Sequence, residues 1–455
     1  YTILMPPPNA NASLHAGHAM YTVDDTVLRF KRMQGYSATW IPGLDHAGFE
    51  TQFVYEKHLA KQGKSRFDFD RQSLYEDILS FVKENSGLIV SQMKKMGFSA
   101  DWNKSVFTLD EHVVKTVYET FMKMHKEGLV YRDEYIVNYC THDGTSLAEL
   151  EVKYVERKDP LYYIKYGAFV LATVRPETKF GDTAVAVNPK DKRYKEWIGK
   201  EIEVEGLLGK IKLKVIEDPH VDPKFGTGVV KVTPGHDPND FEMGKRHNLE
   251  VKCVIDVRGK LNHFAGPYEG MKVMAAREQV AKDLEARGLM EKVDREYVHS
   301  VATCYKCGRD LEPMVVPNWF INVDSLKKPV INAIKKNETT FTPKRHKKQI
   351  LDWLAVMHDW PISRQIVWGI RIPVWYPIGK AAITVSFISK SGEREHGNVH
   401  ELLKKYDLSE IKAGLQSLVA SVGTPFVVSV DSPGEDYLPE TDTFDTWFSS
   451  GQWPI

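Results

Sequence analysis

An α/β fold interrupted by a β-rich insertion is what the sequence predicts, on three observations. The chain starts "YTILMPPPNANASLHAGHAM": an apolar strand-like run, a loop of prolines, asparagines and small residues, then a helical pattern. "SLYEDILSFVKENSGLIVSQMKKMG" (73–97) carries sustained helical periodicity. From about residue 155 the character shifts to short strands with Gly and Pro turns, as in "AFVLATVRPET" and "KIKLKVIEDPHVDPKFGTGVVKVTP".

"YTILM" has strand composition, and a helix follows from about Gly17, with Met20, Val23, Val27 and Phe30 at helical spacing and Gly35 as its stop. Strand, small-residue loop and helix N-terminus together place main-chain N–H groups where phosphate oxygens can meet them. His15 and His18 would add donors toward a triphosphate, and Gly17 would let the backbone approach closely. The plainer reading of the histidine pair is a helix cap. The 73–97 helix suits packing beside a sheet. The β-rich insertion runs to about 297, with "AAREQVAKDLEARG" as one helix within it. Residues 380–440 read as a local insertion, in which "VHELLKKYDLSEIKAGLQSLVASVG" is helical in composition. There is no internal repeat.

At 455 residues the chain has room for two to four domains. Lys plus Arg and Asp plus Glu both number 61, so no global field drives non-specific binding to nucleic acid, and DNA is not an expected partner. No apolar run approaches the roughly 20 residues that span a bilayer, and no signal peptide precedes the first strand. Only four cysteines occur (Cys140, Cys253, Cys304, Cys307), which argues against a disulfide scaffold. The expectation is a cytoplasmic protein with no membrane partner. "CYKCG" (304–308) and "CTHD" (140–143) are two half-sites flanking the insertion, of the paired-turn kind that builds four-ligand zinc sites. The expected ligands are Cys140, Asp143, Cys304 and Cys307, with His142 as the alternative fourth; a turn without metal is the plainer reading. Cys253, in the strand-like "VKCVIDV", reads as core.

"PPPNANASLHAGHA" resembles the nucleotide-binding signature of class I aminoacyl-tRNA synthetases. "IPGLDHAGFETQ" (41–52) resembles the segment that sets the valyl-tRNA synthetases apart from the isoleucyl and leucyl enzymes. "TVRPETKFGDTAVAVNP", "KFGTGVVKVTPGHDPNDFEMGKRH", "DWPISRQIVWGIRIPVWY" and "DTFDTWFSSGQWP" follow in that family's order, so the resemblance covers essentially the whole chain. It implies a Rossmann-type catalytic domain over 1–140 and 345–455, a barrel-like editing domain over 155–297, and connecting segments at 141–154 and 298–344. It also implies a monomer that ligates valine to tRNA(Val) through valyl-adenylate, using ATP and Mg2+, and hydrolyses mischarged threonyl-tRNA(Val).

Activation requires a carboxylate to attack the α-phosphate, which positioning and charge neutralisation catalyse. By resemblance, His15, Gly17 and His18 contact ATP, and the two histidines help stabilise the transition state. Asp45 would bind the α-ammonium of valine. Pro6, Pro7 and Asn9 would border the amino acid, and Trp368 and Trp447 would wall its apolar pocket; for each tryptophan, ordinary core packing is the plainer reading. A pocket that holds valine cannot strongly reject isosteric threonine, a limit for which valyl enzymes are the known example. Arg175, Phe225, Lys231, Thr233, Asp237 and Asp240 would therefore line a second, hydrolytic site. There, a basic residue holds ribose or phosphate, while carboxylates bind the ammonium and orient water. "NAIKKNETTFTPKRHKKQILDWL" (332–354) is a candidate RNA-phosphate surface, a solvated helix face being the equal alternative.

Two departures from the family stand out. Ile370 occupies the usual histidine position in "WGIRIP". The second ATP signature, Lys-Met-Ser-Lys-Ser, is absent, and both ends look cut, so the expectation places that signature and the anticodon-binding domain downstream of residue 455. The alternative reading is therefore a fragment that acts only as an aminoacyl-tRNA deacylase or tRNA-binding module.

Overall fold

The strand Thr2–Leu4 pairs in parallel with Thr39–Ile41, and a short 3-10 turn (Ala16–Ala19) and helix α1 (Met20–Met33) connect them. Gly35 ends the helix at φ +86°, a left-handed value that glycine adopts without a Cβ clash. The expected apolar face of α1 is corrected. Met20, Val23, Val27 and Phe30 are 48%, 64%, 38% and 55% exposed, while Tyr21, Asp25 and Leu28 are buried. Asp25 holds the inward face because its carboxylate accepts hydrogen bonds from the Ser99 amide (2.9 Å) and the Arg29 Nε (2.7 Å). A count of apolar spacing cannot register such a polar anchor.

The computed structural model describes residues 1–380 and 382–454. The chain divides into a first unit, Tyr1–Asp133 with Pro317–Ile455, and a second, Glu134–Val316. The expected connecting segment 141–154, and 298–344 as far as residue 316, thus fall inside the second unit.

Further along the first unit come α2 (Gly48–Lys61), α3 (Arg71–Lys95) and α4 (Glu111–Lys126). Asp70 caps α3 by accepting from the Ser73 amide (2.9 Å). Leu74, Ile78, Val82, Ile89 and Met93 recur at helical spacing and are buried against Met5, Trp40 and Trp368. Each fully buried aliphatic side chain of this kind contributes about 1.5–3 kcal/mol.

The second unit is built from small sheets. Val152–Lys158 pairs antiparallel with Val298–Cys304. Leu161–Tyr166 lies between Phe169–Thr173 and Met290–Asp294. In a four-stranded sheet, Ala184–Val187 runs parallel to Gly209–Glu217 and antiparallel to Val229–Val232. Its "AVAV" run is buried at every residue, as a strand covered on both faces requires. Helices α5 (Pro238–His247) and α6 (Val273–Ala286) complete the unit, α6 covering all but the last two residues of the stretch read as helix. Cys253 is only half-buried and lies outside any strand, contrary to the reading of "VKCVIDV".

Back in the first unit are α7 (Val323–Lys335), α8 (Arg345–Val356), α9 (Val399–Leu402), α10 (Leu408–Gly414) and α11 (Thr446–Ser450). The basic run 332–354 occupies the end of α7, the following turn and α8, with most of its lysines exposed. The 380–440 region contains an antiparallel sheet in which Ile383–Ile388 is flanked by Arg394–Asn398 and Leu415–Ala420. Residues 415–420 are thus strand rather than helix, because pairing with Ile383–Ile388 sends Leu418 and Ala420 into the core beside Val385 and Phe387. Among the described residues, no helix is long and apolar enough to cross a membrane.

Candidate functional site

The two histidines of the opening loop hold each other. His15 Nδ1 accepts from the Gly17 amide (3.1 Å), and the His15 amide donates to His18 Nδ1 (2.9 Å), with the rings 4.1 Å apart. His15 Nδ1 accepts, so its neutral ring carries the proton on Nε2; His18 Nδ1 also lies 3.3 Å from His15 O, so its tautomer follows which of the two main-chain groups it bonds. Burial, then the neighbouring His15, pulls His18 below the ordinary histidine range, which keeps it neutral at pH 7. A Cβ at Gly17 would stand 2.8 Å from the His15 ring, so any other residue would displace that ring. Pro6, Pro7, Asn9, His15, Gly17 and His18 share one cavity of about 340 Å³. Capping and a donor-lined loop are therefore compatible here.

Asn9 is brought beside Asp45 by two main-chain bonds, Asp45 N–H to Pro8 O (2.9 Å) and Ala10 N–H to Asp45 O (2.8 Å). Asp45 Oδ1 accepts from the Ala47 amide (2.9 Å), Ser450 Oγ (2.6 Å) and Thr108 Oγ1 (3.3 Å). Among the described residues Oδ2 accepts no hydrogen bond, which leaves a fixed carboxylate with one oxygen available. The two tryptophans differ. Trp368 is fully buried, donates Nε1–H to His46 O (2.8 Å) and packs on Tyr75. Trp447, in the first turn of α11, is 64% exposed. Ile370 is buried beside Phe444 and Val374, an apolar position that offers no polar contact. Sequence reasoning missed Thr108 and Ser450; the latter stood inside the motif "DTWFSS" already singled out.

In the second unit, Lys231, Thr233 and Asp240 converge. Lys231 Nζ donates to Thr233 Oγ1 (2.5 Å), Thr178 Oγ1 (3.1 Å) and Asp182 Oδ1 (3.3 Å). The Thr233 amide donates to Asp240 Oδ2 (2.8 Å). Burial, reinforced by the charge of Asp237, pushes the Asp240 carboxyl up to about 7 against the pull of Lys231. Asp237 caps α5, its Oδ1 accepting from the Asn239 (2.8 Å) and Asp240 (3.1 Å) amides. Arg175 belongs to a neighbouring network. Glu312 and Glu177 hold its guanidinium, and Arg277 grips Glu177 through two bonds (3.1 and 2.8 Å). Burial alone would lower Arg175, but the two carboxylates hold it above the ordinary arginine range. Arg175 and Asp237 line a cavity of about 750 Å³ together with His236. Burial, then the Arg175 charge, drops His236 to about 3, and its Nε2 accepts from the Val254 amide (2.7 Å). Phe225 is 38% exposed and packs edge-on against Tyr297. Asp182 and Glu177 could have been read from "TVRPETKFGDT". Arg277 and Glu312 could not, lying 100 and 137 positions from their partners.

Also in the second unit, Cys140, Asp143, Cys304 and Cys307 present ligand atoms all within 4.8 Å of one another. Cys140 Sγ lies 3.5 Å from Cys307 Sγ and 3.1 Å from Asp143 Oδ2, which is 3.3 Å from Cys304 Sγ. Around a tetrahedral ion with ligand bonds of about 2.0–2.3 Å, such edges are the expected size, so the donor set fits zinc. Asp143, not His142, joins the cluster; His142 Nδ1 instead bonds the other Asp143 oxygen (2.9 Å). The second half-site sits on a turn closed by Gly308 N–H to Cys304 O (2.9 Å).

A family profile described as "tRNA synthetases class I (I, L, M and V)" matches residues 1–455, and the chain belongs to that family. Within it, the chain is 39% identical over 463 residues to a valine--tRNA ligase of Geobacter sulfurreducens, covering 100% of this chain and 48% of that protein. It is 40% identical to one from Thermotoga maritima (100% and 49%) and 41% identical to one from Clostridium acetobutylicum (100% and 48%). The chain thus spans about half the length of the curated relatives it matches. Among solved structures, an Agrobacterium radiobacter K84 LeuRS–tRNA–LeuAMS complex is similar over 100% of this chain and 56% of that one, with 16% identity and a TM-score of 0.41.

Proposed function

We propose that the chain is the part of a valine--tRNA ligase that carries both amino-acid activation and hydrolytic editing, the first unit being Rossmann-type and the second barrel-like. In the first unit the α-ammonium of valine pairs with Asp45 and the adjoining Asn9 orients it. The Nε2–H groups of His15 and His18 donate to phosphoryl oxygens as charge develops on them, with Mg2+ accompanying the triphosphate. Trp368 gives a rigid apolar wall, and Trp447 is free to close over the side chain. tRNA(Val) is the second substrate. The observation that carries the reading is the uncommitted Asp45 oxygen beside Asn9, in a chain that also holds the paired-histidine loop.

In the second unit Asp240 accepts the proton of a water that attacks the threonyl ester, while Lys231 and Thr233 hold polar substrate groups. Arg175 acts mainly by fixing the cavity wall, since Glu177 and Glu312 pair with its charge through Nε and a terminal nitrogen. Cys140, Asp143, Cys304 and Cys307 would hold a structural zinc, with His142 orienting Asp143.

Two assays separate the sites: valine-dependent ATP–pyrophosphate exchange, and release of labelled threonine from threonyl-tRNA(Val). Asp45→Ala should weaken valine use by about 10–100-fold, as loss of a hydrogen-bonded charge partner does. Asp240→Ala should lower deacylation strongly, and His15→Ala should leave deacylation unchanged. Unchanged exchange in Asp45→Ala, or deacylation that depends on His15, would overturn the assignment. Deacylation without exchange, in the chain as it stands, would favour the reading of an editing fragment.

A further inference from the structure

The first unit contains a second cavity that the proposed activity leaves unused, of about 480 Å³, sharing no lining residue with the histidine-loop cavity. Its size falls within the range of about 300–1,000 Å³ common for small-molecule sites. Arg71, at the start of α3, and Arg371 both line it. Neither guanidinium is ion-paired to a carboxylate among the described residues. Arg71 donates only to main-chain carbonyls, those of Ile366 (3.2 Å), Thr441 (2.5 Å) and Gln416 (3.3 Å). Arg371 makes one long bond, to Glu440 O (3.4 Å), and otherwise lies over the Trp375 ring at 4.8 Å.

Asp442 and Glu440 act on Arg71 through their charge, and Glu440 on Arg371, but the acids on the wall have their oxygens engaged elsewhere. Glu440 spends Oε1 on the Thr441 amide (2.7 Å) and Oε2 on the Tyr376 hydroxyl (2.7 Å). Asp70 spends both oxygens on Ser73, its amide at 2.9 Å and its hydroxyl at 2.5 Å. Tyr75 and Tyr118 also line the cavity, and among the described residues neither hydroxyl has a hydrogen-bond partner. The groups left over are therefore donors, set against an apolar wall that includes Val114, Val367 and Leu415. Burial holds Arg371 below the ordinary arginine range, against the opposing pull of Tyr118 and Glu440.

We propose that this cavity binds a small organic anion, a carboxylate or phosphate on an apolar body, through Arg371 and Arg71 with the Tyr75 and Tyr118 hydroxyls as further donors. A guanidinium whose N–H groups are spare matches such an anion bidentately. The proposal does not depend on the activation or editing chemistry.

The test is calorimetric titration of the whole chain with benzoate, phenyl phosphate and inorganic phosphate. Binding of benzoate or phenyl phosphate tighter than inorganic phosphate is expected, and the stronger of the two identifies the head group. Arg371→Met keeps an apolar stem over Trp375 and should weaken binding about tenfold or more. Tyr118→Phe should weaken it by a smaller factor, and His15→Ala should leave it unchanged. Should Arg371→Met unfold, Arg371→Lys and Tyr118→Phe carry the test. Equal affinity of wild type and these variants, loss of binding in His15→Ala, or no binding of any probe at millimolar concentration would overturn the proposal, the last meaning a cavity filled by water alone.

Discussion

Replacing Glu177 by Gln should loosen the second unit more than almost any other isosteric change. Glu177 is fully buried and accepts from Arg277 at 3.1 and 2.8 Å and from Arg175 at 3.3 Å. With Glu312 also on Arg175, two cations face two anions. The substitution leaves one positive charge uncompensated and turns an amide N–H toward a guanidinium. Removing one partner of a buried pair costs about 3–5 kcal/mol. At about 1.4 kcal/mol per factor of ten, protection against hydrogen exchange should fall roughly 100- to 4,000-fold. The readout is exchange of amides in α6, which carries Arg277, and in Ala184–Val187. Peptides from α3, in the other unit, serve as internal control. A loss under about 1 kcal/mol, the size expected of an exposed pair, would refute the account of a dry, mutually dependent network.

Metal analysis of the purified chain should give about one equivalent of zinc, reduced in Asp143→Ala and Cys304→Ser but not in His142→Ala, because only the first two remove a ligand; a fully folded metal-free preparation would refute this. Threonyl-tRNA(Val) hydrolysis should fall as pH drops below about 7, where Asp240 becomes protonated. Its raised folded-state pKa means that its stabilising contribution is complete below the ordinary value of 3.8 and is lost as pH rises through about 7. Asp240→Asn should therefore be more stable than wild type at pH 8 and lose that advantage near pH 4, as followed by thermal unfolding. In α1, Leu28→Ala should cost about 2–5 kcal/mol, whereas Val23→Ser should stay within about 0.5 kcal/mol; the reverse order in urea titrations would restore the original reading of its faces.

What was legible in the sequence is local or carried by contiguous motifs. The 73–97 periodicity already marked most of α3, the glycine at 35 the stop of α1, and "CTHD" and "CYKCG" two compact turns, because each depends on residues within a turn or two. The same short range made the cap of the histidine loop readable, whereas the Asp45 partners Thr108 and Ser450, 63 and 405 positions away, were not. Tertiary structure alone decided three other matters. It chose which face of α1 is buried, since Asp25 is drawn inward by Ser99, 74 positions away. It made 415–420 a strand by supplying Ile383–Ile388 as partner. It also separated Arg175 from Lys231, because the carboxylates that claim Arg175 include Glu312, 137 positions downstream. Burial of polar groups is costly unless they are paired, and their partners are set by the folded path of the chain rather than by proximity in sequence.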